Sequence, residues 1–142
     1  MPIRPSCVGD FASLRMKRFA MSEKPNTDHA PPIVVDRSDA VVRVTLSRLR
    51  SANALDGSMV DALLGVLDRS RDSPVAGSRA LVIAGDGNNF CGGFDLSDIA
   101  SLSEGEIILR FLRIESLLQR LYHAPFLTIA CAQGNAVGAG AD

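Results

Sequence analysis

The stretch Asn88-Asn89-Phe90-Cys91-Gly92-Gly93-Phe94-Asp95-Leu96 follows, after Asp86-Gly87, a short apolar run, Arg79-Ala80-Leu81-Val82-Ile83-Ala84-Gly85. A run of that kind reads as a strand buried on both faces. Two adjacent glycines after it permit positive φ and let the backbone approach a ligand closely. A turn opening toward a helix leaves N–H groups unpaired and pointing outward. The same pattern returns in Gly134-Asn135-Ala136-Val137-Gly138-Ala139-Gly140-Ala141-Asp142, after the apolar run Phe126–Ala132. Two such loops at neighbouring strand ends can each aim one N–H at a single oxygen, which is the design of an oxyanion hole.

Working outward, Ile33-Val34-Val35 begins the ordered part. Val41–Leu46 alternates, with Val42, Val44 and Leu46 on one face and Val41, Arg43 and Thr45 on the other, the signature of a half-buried strand. Asp39-Ala40 between the two runs suits a hairpin turn. A helix is predicted from about Asp56 to Arg71, capped by Asp56 or Ser58, with Val60, Leu63, Leu64 and Leu67 on one face and Ser73-Pro74 ending it. A second helix is predicted over Glu104–Tyr122. Ser103 and Glu106 fit a capping box. Ile107, Phe111, Ile114, Leu118 and Leu121 form its expected apolar seam, with Arg110, Arg113 and Arg120 toward solvent, and Pro125 stops it. The order strand, strand, helix, strand, helix, strand predicts an α/β protein, whose ligand sites usually lie at strand ends.

Composition narrows the function. Hydrophobic residues make up 46% and charged residues 22% of 142, an ordinary globular balance. A net charge of -1 gives no basic footprint for nucleic acid or an anionic membrane. No apolar run approaches the roughly 20 residues of a membrane span. Cys7, Cys91 and Cys131 are odd in number and contain no Cys-x-x-Cys pair, which speaks against a disulfide scaffold or zinc site. His29 and His123 stand alone, so no metal is expected. Residues 1–20 carry Arg4, Arg15, Lys17 and Arg18 against the single acid Asp10, a composition open to a transit peptide. Met21 reads as a second start, however, so a cytoplasmic protein with an upstream extension is the expectation. Residues 1–32 are read as a flexible lead-in.

Gly85-Asp86-Gly87-Asn88-Asn89-Phe90 begins like a dinucleotide fingerprint, which leaves a nucleotide-binding α/β domain as one alternative. Phe90 replaces the third glycine, and no helix opens on the segment, so this reading is set aside. No Gly-Lys-Ser/Thr is present for a P-loop.

Four segments together resemble the crotonase superfamily, the enoyl-CoA hydratase/isomerase family. Val42–Leu46 with Ser51-Ala52-Asn53-Ala54-Leu55 is similar to its first strand and "x-x-N-A-L" loop. Arg79–Gly85 is similar to "ALVLTG", Phe90–Leu96 to "FCAGxDL", and Pro125–Asp142 to "P-x-I-A-A-V-x-G-x-A-x-G-G-G-x-E". The resemblance runs from about Ile33 to the end. It implies an α/β ββα spiral, here the N-terminal part of such a domain over 33–142. It also implies a lyase or isomerase acting on acyl-CoA thioesters, as in fatty acid metabolism, with no bound cofactor and coenzyme A as part of the substrate.

By the same resemblance, the oxyanion N–H groups are those of Phe94 and Ala139, the latter standing where the family has the middle glycine of "GGG". Ala there raises the question of a φ that Ala dislikes. Ala52, Ala54, Gly92, Asp95, Leu96 and Gly138 are the implied substrate and CoA contacts. Asp142 occupies the position of the first acid–base glutamate, while the second lies in sequence beyond this chain. Full-length relatives are expected as homo-trimers or hexamers. A chain of this length admits the alternative of an inactive truncated remnant that associates with another chain through uncovered apolar faces.

Other residues have two readings each. Cys91 is a nucleophile or, preferably, a small buried residue. His123 is a base or the cationic end of a helix, the latter preferred. Asp95 is catalytic or, preferably, a helix-entry cap. Arg48 and Arg50 either meet CoA phosphates or are solvated loop charges.

Overall fold

The computed structural model describes residues 31–38, 40–71 and 79–142. The lead-in, Asp39 of the expected hairpin turn and the Ser73-Pro74 stop lie outside the described residues, apart from Pro31 and Pro32.

Strand β1 (Ile33–Ser38) pairs antiparallel with β2 (Val41–Leu46). Helix α1 (Gly57–Arg71) then crosses to β3 (Ala80–Gly85), parallel to β2, and helix α2 (Glu104–Tyr122) crosses to β4 (Leu127–Cys131), parallel to β3. The sheet order is β1-β2-β3-β4. Because β2, β3 and β4 run the same way, the loops leaving their C-terminal ends all emerge at one edge of the sheet, where α/β folds place their ligands.

The alternation in β2 is realised: Val42, Val44 and Leu46 are buried and Arg43 is exposed. These side chains meet Met59, Val60, Leu63, Val66 and Leu67 of α1, with Leu81, Phe90, Ile114 and Leu117 completing the core. The buried face of α1 includes Met59 and Val66 and leaves Leu64 half-buried, so it is turned relative to the expected one. Asp56 caps α1 by accepting the Met59 N–H at 2.8 Å. The Ser103–Glu106 capping box of α2 is present in both directions.

Three expectations are corrected. Strand β4 is exposed at every residue, although its sequence reads as buried, and β3 buries only Leu81 fully. An apolar strand is buried only if something covers it. Here a groove of about 320 Å³, lined by Leu117, Leu121, Thr128, Ile129, Ala139 and Asp142 among others, separates α2 from β4. The seam of α2 is also shifted. Ile114 and Leu117 are buried, Leu118 and Leu121 are half-buried against the core, and Phe111 is 53% exposed, with its ring stacked on Phe94. Finally, Arg110 does not face solvent. It grips the carboxylate of Asp98 with both terminal nitrogens, at 2.7 and 2.8 Å, and its side chain is 14% exposed. Arg113 and Arg120 pair with Asp61 and Asp68 of α1 at the surface.

Candidate active site

Three loops meet at the C-terminal edge of the sheet. The first, after β2, contains the turn Leu49–Ser51 and then Ala52 and Asn53, both left-handed at φ 49° and 57°. Asn tolerates that region better than other L-residues, and its side chain is fully used here. Asn53 Oδ1 accepts the Arg48 N–H at 2.9 Å, and Nδ2 donates to the carbonyls of Asp86 and Asn89 at 3.0 and 2.9 Å. A residue only 1% exposed thus ties the first loop to the second.

The second loop, after β3, is locked on both sides. Phe90 and Cys91 donate their N–H groups to the Asn135 carbonyl, and Val137 N–H donates back to Cys91 O at 3.1 Å. Gly134 sits at φ +60° with no room for a side chain: a Cβ there would lie 1.8 Å from Asn88 O. Gln133 Nε2 donates to the Gly85 carbonyl, binding the third loop to the end of β3. On the other side, Leu55 N–H donates to Gly93 O at 2.7 Å and Asp95 N–H to Leu55 O at 3.1 Å.

These bonds orient the two candidate donors. A trans peptide holds its N–H opposite its C=O. With the Gly93 carbonyl held by Leu55, the Phe94 N–H points away from Leu55. In the short turn Gly138–Gly140, the Gly138 carbonyl accepts Ala141 N–H at 2.7 Å, so the Ala139 N–H points the opposite way. Neither donor has an acceptor among the described residues. The two loops touch: a Cβ on Gly93 would sit 3.7 Å from Ala139 N. Ala139 is not among the residues of positive φ, so Ala is sterically at ease where a glycine was expected.

The Phe94 ring stacks on Phe111 of α2, centroids 4.6 Å apart, with the Arg110 guanidinium 5.7 Å from its centroid. The ring is held by an aromatic partner and a cation that Asp98 fixes in turn.

The remaining sequence candidates fall into place as follows. Ala52 and Gly92 are neighbours, a Cβ on Gly92 lying 3.2 Å from Ala52 O. Ala54 is buried, and its carbonyl accepts from Arg48 at 2.6 Å. Leu96 is 62% exposed at the open face of the second loop, and Gly138 faces open space at φ +52°. Asp142 lines the same groove as Ala139.

Asp95 is buried and turned inward. It accepts Ser97 N–H at 3.0 Å and Arg48 Nη1 at 2.9 Å. Burial pushes its carboxyl up, but the bonds from Ser97 and Arg48 outweigh that and hold it below the usual carboxylate value. It stabilises a turn rather than a helix entry, since α2 begins only at Glu104. Cys91 is buried, donates from Sγ to Asn53 O at 3.3 Å, and has its thiol pKa raised by burial, properties of a packing residue rather than a nucleophile. His123 caps the end of α2 away from these loops and lines a separate cleft with Leu67 and Arg71.

Sequence reasoning missed Arg48 as a structural residue. It is neither a free phosphate ligand nor a solvated charge: it bonds Ala54 O and Asp95 and pairs with Asp56 at 3.2 Å. Asn53 and Phe111 were also passed over as individuals. An Asn directly after a tight basic loop was a readable sign of positive φ; Phe111 gave no sign beyond its place in the seam.

Residues 36–142 match the enoyl-CoA hydratase/isomerase family. The chain belongs to that family. It is 38% identical over 107 residues, 74% of this chain, to a protein from Rhodobacter capsulatus named probable enoyl-CoA hydratase. It is 30% identical over 119 residues, 81% of this chain, to 4-chlorobenzoyl coenzyme A dehalogenase-1 from an Arthrobacter species. Among solved structures, an enoyl-CoA hydratase from Mycobacterium smegmatis superposes with a TM-score of 0.73 at 31% identity, covering 78% of this chain and 43% of that one. The fold is therefore the crotonase fold of these enzymes, represented by one part of it. The chain spans 39% of the length of the Rhodobacter relative and 42% of the Arthrobacter one.

Proposed function

We propose that this chain binds the thioester end of an acyl-CoA and polarises its carbonyl with the N–H groups of Phe94 and Ala139. The observation that carries the reading is the pair of acceptor-free donors on two touching loops, each held by a hydrogen bond to the carbonyl of its own peptide group. Donors fixed in this way need no reorganisation as negative charge grows on the thioester oxygen, and each is typically worth about 10²–10³ in rate. The step supported is formation of an enolate-like intermediate, common to hydration and double-bond migration. Family membership supports the same substrate class. The CoA arm runs along Ala52, Gly92 and Leu96, and the acyl chain enters the apolar groove between α2 and β4. Asp142, lining that groove, is the carboxylate available to move a proton.

Calorimetry with crotonyl-CoA and with free CoA tests this. Crotonyl-CoA binds the more tightly of the two if the carbonyl is recognised. Equal affinity, or no heat from either in a folded sample, contradicts the reading.

A further inference from the structure

The Phe94 N–H is the last member of a hydrogen-bonded chain that starts at a cation. Arg48 Nη1 donates to the Ala54 carbonyl at 2.6 Å. That carbonyl belongs to the same peptide group as the Leu55 N–H, which donates to the Gly93 carbonyl at 2.7 Å. The Gly93 carbonyl shares its peptide group with the Phe94 N–H. The first bond comes from a cationic donor and is a charge-assisted one. A cation on a peptide oxygen draws electron density toward it and makes the N–H of the same group a better donor. Each bond in such a chain strengthens the next by about 10–30%.

We propose that Arg48 is a positioning residue for the thioester site, polarising and aiming the Phe94 N–H through the Ala54–Leu55 and Gly93–Phe94 peptide groups. This deepens the thioester reading and rests on it. Two carboxylates face the same guanidinium: Asp95, 2.9 Å from Nη1, and Asp56, 3.2 Å from Nη2. They hold Arg48 in place while damping its field. Substitutions on the two sides of the ion pair should therefore act on the bound carbonyl in opposite directions, which a merely structural role does not produce.

The probe is crotonyl-CoA labelled with ¹³C at the thioester carbon, read by difference infrared spectroscopy on the bound protein. The wild type displaces the carbonyl stretch to lower wavenumber than water does. Arg48→Met reduces that displacement, by about a tenth at most since the effect passes through two bonds, and Arg48→Lys, which keeps a donor and a charge, falls between the two. Asp95→Asn deletes the opposing charge and keeps one oxygen, which can accept from Ser97 N–H, while the Ala54 carbonyl and Asp56 still hold Arg48, so its displacement equals or exceeds that of the wild type. Circular dichroism checks each variant's fold. If Arg48→Met does not fold, Arg48→Lys and Asp95→Asn carry the test with their opposite signs. Equal loss in Arg48→Lys and Asp95→Asn, or no change in any variant while the wild type shifts, overturns the role of Arg48 alone. No displacement in the wild type overturns the thioester reading, and this inference with it.

Discussion

Gly93→Ala puts the contact between the second and third loops to its hardest test. Gly93 lies at φ +80°, and an added Cβ would fall 2.4 Å from the Val137 carbonyl oxygen, about 1 Å inside ordinary contact. Two penalties follow. The left-handed conformation costs an L-residue roughly 1–2 kcal/mol. Parting the loops stretches the Val137 N–H to Cys91 O bond, now 3.1 Å, and forfeits about 1 kcal/mol more. The expected loss is about 2–3 kcal/mol. Gly138→Ala is the control. Its φ is +52° and a Cβ there meets nothing within 4 Å, so only the conformational penalty of about 1 kcal/mol applies. Urea unfolding followed by circular dichroism separates them. The Gly93→Ala midpoint falls below that of Gly138→Ala by about 1 M at a slope ordinary for small proteins, with that slope unchanged. Coincident midpoints would refute the claim that these loops are in tight contact. In the thioester reading, a displacement of about 1 Å also lowers turnover about 10²-fold.

Asn53→Ala removes the acceptor of the Arg48 N–H and the donor to the carbonyls of Asp86 and Asn89, three buried hydrogen bonds in all, and should lower stability by about 3 kcal/mol in the same assay. Ser103→Ala breaks the capping box of α2 and should lower it by about 1 kcal/mol. The depressed Asp95 carboxyl makes the folded state release its proton more readily than the unfolded chain, whose value is the ordinary 3.8. Its stabilisation is complete above that value and is lost as pH falls through the lower folded value, so the urea midpoint should drop below about pH 4, and less steeply in Asp95→Asn.

Much of the frame was legible because it is local. Alternation in Val42–Leu46, the Ser103–Glu106 spacing and the glycine loops after apolar strands are short-range patterns, and each is realised. Non-local partners were not legible. Nothing near Arg110 in sequence announces Asp98, twelve residues earlier, and nothing near Arg48 announces Asp95. The exposure of β4 shows a different limit. Leu127–Cys131 has the composition of a covered strand, but composition cannot say whether covering elements are present. The candidate pair, Phe94 and Ala139, was named by resemblance. What geometry added is the direction of the two N–H groups: each shares a trans peptide group with a carbonyl that is already bonded, and so points away from that bond.

The central claim is that the Phe94 and Ala139 N–H groups meet a thioester oxygen. Amide NMR of ¹⁵N-labelled protein titrated with crotonyl-CoA, against free CoA as reference, reads those two protons directly. The account predicts that both move downfield together with crotonyl-CoA and stay in place with CoA. Saturable binding of crotonyl-CoA that leaves either amide unmoved would contradict it.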